Sequence, residues 1–157
     1  MDKRHRNILI SIFIVVSLIA IMDILFLKSH LFGSEIDYVT GAYSVGLWPL
    51  FFKMSISLML LFSAGYYFYY HKDISEAISI FSGSYLIWAY AGISDLLFFF
   101  FQGKLPPSEL PWLSHNVALA PVANILGYTT ITNTSLYVSA IIGIILVYYM
   151  TRILKEK

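Results

Sequence analysis

Apolar positions gather into four long runs along the chain, each bounded by polar or charged residues. The runs cover 8–27, 47–70, 77–101 and 136–153. Asp23 interrupts the first, Lys53 the second and Asp95 the third, whereas the fourth carries no charge before Arg152. A helix needs about 20 apolar residues to cross about 30 Å of hydrocarbon. Each run therefore predicts a transmembrane helix, and the chain reads as one all-α, four-span membrane domain over residues 1–157. The connections 28–46 and 102–135 then share one side of the membrane.

Composition agrees with that reading. The 157 residues are 59% hydrophobic and 12% charged, against about 45–50% and about 25% in a soluble domain. So little charge cannot clothe a water-facing surface of this size. The net charge of +1 offers no basic field for nucleic acid, and the absence of cysteine excludes disulfides and thiolate chemistry. The basic start Lys3-Arg4-His5-Arg6 resembles the head of a secretory signal peptide. The apolar run behind it is longer than a signal core, and no Ala-x-Ala-like site follows, so a retained span is expected.

Lys and Arg favour the cytoplasmic side of membrane helices. With four spans, Lys3, Arg4, Arg6, Lys72, Arg152, Lys155 and Lys157 fall on one side, and only Lys28 and Lys104 on the other. Seven against two predicts cytoplasmic termini. Tyr66, Tyr67, Tyr69 and Tyr70, with Tyr148 and Tyr149, then mark the inner interface, where an amphipathic ring has one wet end and one apolar end.

The segment 102–135 opens with a helix stop, Gln102-Gly103-Lys104-Leu105-Pro106-Pro107. Its apolar stretch 110–127 carries His115, Asn116, Pro121 and Asn124. An ordered cap over the bundle is expected, in preference to a re-entrant hairpin or a fifth span, because hydrocarbon would have to accept that polar content. Asn133-Thr134-Ser135 matches a glycosylation acceptor, yet Asn133 or Ser135 as a helix cap is the preferred reading.

Candidate chemistry comes from depth. At 1.5 Å per residue, Asp23 lies about 7–8 Å below Lys28, Lys53 about 9 Å inside Leu47, and Asp95 about 10 Å before Gln102. Three ionisable groups on three helices thus share one level in the outer leaflet. A lone charge at the bilayer centre costs about 2.5–3.5 kcal/mol, so convergence into an Asp23–Lys53–Asp95 cluster is expected, roofed by His115 and Asn116. The inward face of the second run is read through Lys53, Ser57, Leu60 and Ala64. That of the third passes through Ser84, Trp88, Ala91 and Gly92, and that of the fourth through Ser135, Ser139 and Gly143. Side chains three and four apart share a face, and small residues there permit close helix approach.

Such a cluster has two readings: an ion-pair network that fixes helix register, or a site for a headgroup, an ion or a proton. Metal and haem are not expected. The four His carry no His-x-x-x-His spacing and none lies within an apolar run. No cofactor is expected, and no catalytic residue is assigned. A four-span plan holding acids inside the bundle resembles the emopamil-binding class of sterol isomerases. That likeness is one of plan, and no residue role carries over from it. The functional expectation is a non-catalytic subunit or structural component of a membrane complex, its partners the bilayer and other membrane subunits. The competing reading is a lipid- or small-molecule-binding protein, or enzyme, built on the polar cluster. An ion or proton transporter ranks third, because the inner halves of the runs are apolar.

Overall fold

The computed structural model describes residues 3–28, 47–71, 73–110, 113, 116 and 118–155. These form α1 (Lys3–Lys28), α2 (Leu47–Tyr66), α3 (Ile74–Ala89), α4 (Ile93–Phe101), α5 (Leu119–Ile125) and α6 (Asn133–Lys155). A π-helical turn, Tyr67–His71, prolongs α2. No strand occurs among the described residues, and Glu109 and Thr132 form an isolated antiparallel bridge. Among the described residues three stretches are long and apolar enough to cross a membrane: Lys3–Leu25, Leu50–Tyr70 and Asn133–Ile153. The pair α3 and α4 counts as a fourth only if taken as one bent span. Most of the connection 28–46, together with Lys72 and His115, falls outside the described residues.

Each long helix buries one stripe and exposes apolar residues elsewhere. On α1 the buried stripe is Ile8, Ile12, Val15, Val16 and Ile19, while Phe13, Ile14, Leu18 and Leu25 are exposed. The periodicity of 3–4 residues places the first set on one side. A helix apolar all round belongs in a large core or in lipid, and a chain this short has no large core. Helix α3 is the hub, packing against α1, α2 and α6, and α4 lies on α1 and α6. The closest approaches run through small residues. A side chain at Gly83 would meet Ile12 and Val147, and one at Gly143 would collide with Ala91.

The segment after α4 forms a small satellite core, with Leu110, Leu119, Ala123, Ile131 and Leu136 packed together over Leu96 and Phe99. Helix α5 has seven residues, too few to span a bilayer. It packs on α6, and the backbone pairs Leu110 N–H to Ile131 O (2.8 Å) and Asn133 N–H to Ser108 O (3.2 Å) tie the segment down. At the start of α6 the cap is Thr132. Its hydroxyl accepts from Ser135 N–H at 3.2 Å, and Ser135 Oγ accepts from Thr132 N–H at 2.9 Å. Ser135 thus takes part as the reciprocal partner, and Asn133 is the first helical residue rather than the cap.

Candidate functional site

The run 77–101 is broken rather than continuous: α3 and α4 meet at 73°. The break follows from Gly92, whose φ of 68° lies in the left-handed region, open to glycine at little cost. Helix α3 ends with the N–H groups of Tyr90 and Ala91 both donating to Leu86 O. Ending a helix frees carbonyls that lipid cannot satisfy. Two distant side chains take them. Asn116 Nδ2 donates to Ala89 O at 3.3 Å, and Ser139 Oγ donates to Tyr90 O at 3.4 Å. The Asn116 carbonyl oxygen also accepts from Ala118 N–H (3.0 Å) and Leu119 N–H (3.2 Å). Asn116 therefore stitches the cap to the broken helix, and all of its amide atoms are committed to backbone. Asn116→Ala is expected to cost about 1–3 kcal/mol, the penalty for orphaned polar groups, read as a lowered unfolding midpoint in detergent.

The break brings two acids together. Asp95 sits in the first turn of α4, where the partial positive charge of the helix start favours a carboxylate. Asp23, near the C-terminal end of α1, is half-buried and lies within electrostatic reach of Asp95. Lys53 does not join them: its side chain is exposed and forms no ion pair among the described residues. The reason is rotational. Ser57, Leu60 and Ala64 are exposed with it, and the buried stripe of α2 runs instead through Ser55, Met59, Ser63 and Tyr66. In contrast, Ser84, Trp88, Ala91 and Gly92 are buried, as are Ser135, Ser139 and Gly143. Of the five candidate residues, Asp23 and Asp95 lie within electrostatic reach of one another, Asn116 is hydrogen-bonded to backbone, Lys53 is exposed, and His115 lies outside the described residues.

The opposite end holds a polar group that the apolar runs conceal. His5 is 5% exposed, although it precedes the first apolar run. Its Nε2 pairs with Thr151 Oγ1 at 2.9 Å, and its ring lies 5.0 Å from that of Tyr148. Glu76, 3% exposed, pairs with Arg4 at 3.8 Å. The Tyr66 hydroxyl lies beside its carboxylate. A sequence signal for Glu76 exists. Asp73-x-x-Glu76 is a helix-start pattern, and Asp73 Oδ1 does accept from Ser75 N–H at 2.9 Å. Helix α3 thus begins at Ile74, ahead of the apolar run, and carries Glu76 inside.

Among the described residues no three His, Asp or Glu side chains are placed to hold a metal ion. No protein-family model, curated protein or solved structure matches the chain.

Proposed function

We propose that this chain is a four-span integral membrane protein with both termini in the cytoplasm, and that Asp23 and Asp95 receive a positively charged group of a lipid or small molecule. The observation that carries the reading is an acid pair with no ion-pair partner among the described residues. An ion-pair lock between helices needs a cation, and Lys53, the lysine read at that depth, is exposed and forms no ion pair among the described residues. Two like charges brought together in a poorly solvated place repel each other. A guest bearing an amine relieves that repulsion and gains a charge-assisted contact with each acid.

The test uses protein in phosphatidylcholine nanodiscs with two probes of equal chain length, dodecylamine and dodecanol. Dodecylamine is expected to bind and raise the unfolding midpoint, dodecanol to do neither. Asp23→Asn and Asp95→Asn should each weaken dodecylamine binding at least tenfold, about 1.4 kcal/mol. If both variants bind as the natural protein does, the acids are not a site. The chain then reverts to a structural component of a membrane complex.

A further inference from the structure

A groove of about 570 Å³ runs between α1 and α2 on the outside of the bundle, at the end that holds the N-terminus. Its volume falls within the about 300–1,000 Å³ of small-ligand sites. Its two ends differ in chemistry. Toward the middle of the bundle the walls are Ile10, Ile14, Leu58 and Leu61. Toward the N-terminal end they are Asn7, Tyr66, Tyr69 and Tyr70. Tyr66 is 7% exposed, and its hydroxyl lies beside the Glu76 carboxylate. The α1 wall continues downward as a stripe. Lys3 lies four residues before Asn7 and Arg6 four before Ile10, which places both on the groove face, and both are exposed. Glu76, the nearby acid, is paired with Arg4.

The wall from Asn7 to Ile14 is about 10 Å long and that from Leu58 to Tyr70 about 18 Å, at 1.5 Å per residue. One leaflet's share of a hydrocarbon core about 30 Å thick falls between these lengths. We propose that this groove seats one acyl chain of an anionic phospholipid from the leaflet that holds the N-terminus, with the phosphate set against Lys3 and Arg6 and among the tyrosines. The inference rests on the chain lying in a bilayer. It is independent of the acid pair, which lies at the other end of α1. A phosphate there meets two exposed cations and phenol donors, the pattern by which basic interfacial residues recognise anionic lipid. The apolar tail covers leucine and isoleucine walls.

Gly65 supplies the test, because it lines the groove and a side chain added there meets nothing within 4 Å. Gly65→Leu starts from a Cβ with open space around it and extends a side chain into the channel. Ile10→Trp fills it from the opposite wall, where Ile10 is exposed, and guards against a folding defect in either variant. Native mass spectrometry would follow retention of palmitoyl-oleoyl phosphatidylglycerol against palmitoyl-oleoyl phosphatidylcholine. The natural protein and Asp95→Asn are expected to retain one phosphatidylglycerol in preference to phosphatidylcholine. Gly65→Leu and Ile10→Trp should lose it, and Lys3→Ala with Arg6→Ala should keep a lipid but lose the preference at least fivefold. Equal retention in the filled-groove variants would overturn the proposal. So would a dimer that both filled-groove variants abolish, since a second copy would then be the occupant. Loss of retention in Asp95→Asn alone, with both filled-groove variants still holding the lipid, would likewise overturn it, because the lipid would then depend on the acid pair at the other end of α1.

Discussion

Gly92→Val is expected to cost about 4 kcal/mol, the largest single loss of any substitution considered. Two penalties coincide there. The φ of 68° places a β-branched residue in the left-handed region, a strain of about 1–3 kcal/mol. The new side chain would also collide with Leu136 and crowd Leu119, whose methyl carbons stand 3.5 Å from the added Cβ. Overpacking of that kind adds about 1–3 kcal/mol. Leu119 and Leu136 belong to the satellite core over α4, so the damage spreads from the break into the cap. Denaturation in mixed micelles reads the loss directly. A Gly92→Val protein within 1 kcal/mol of the natural one would mean that α3 and α4 form one straight helix.

Gly143→Leu is expected to follow closely, at about 3 kcal/mol. At Gly143 α6 lies hard against the break, and any Cβ there collides with Ala91. Ala91 lies between the two halves of the break, so α6 has no room to step aside without moving Tyr90, whose carbonyl Ser139 holds. A double-mutant cycle isolates the contact. Gly143→Ala should destabilise in the natural background and be largely rescued by Ala91→Gly. Absence of rescue would place the close approach elsewhere along α6.

The number and extent of the apolar runs were legible because length and hydrophobicity suffice to mark a helix that can cross a membrane. The break was not. Tyr90-Ala91-Gly92-Ile93 is as apolar as its flanks, and glycine is common in membrane helices. What holds the bend open comes from afar: Asn116 is 27 residues from Ala89, and Ser139 is 49 from Tyr90. Periodicity cannot see such partners. Depth was equally readable, since residue counting gives height directly. Rotation was not, because α2 is apolar on all sides and offers no polar face to set its orientation. That is why the expected cluster joined Lys53 to Asp23 and Asp95, whereas Lys53 is exposed and forms no ion pair among the described residues. On α3 and α6 the stripes of small residues did identify the buried faces, because close approach demands small side chains and leaves that mark in the sequence.

His5 and Glu76 show the complementary failure. Both lie outside the apolar runs, at positions 5 and 76, and reading helices only from apolar runs removes their polar first turns. Both helices begin earlier, and the first turn of each carries its polar residue inward, where it finds Thr151 or Arg4.

The most direct test of the central claim is the stability of unliganded Asp23→Asn. A cluster that locks helices loses stability when one member is removed, by about 3–5 kcal/mol for a buried pair. A site kept open for a guest behaves in the opposite sense, because its uncompensated repulsion is a cost borne by the empty protein. The account predicts that unliganded Asp23→Asn unfolds at the same temperature as the natural protein or a few degrees above it, while dodecylamine no longer shifts the midpoint. A fall of several degrees in the unliganded midpoint, with the dodecylamine shift intact, would contradict it.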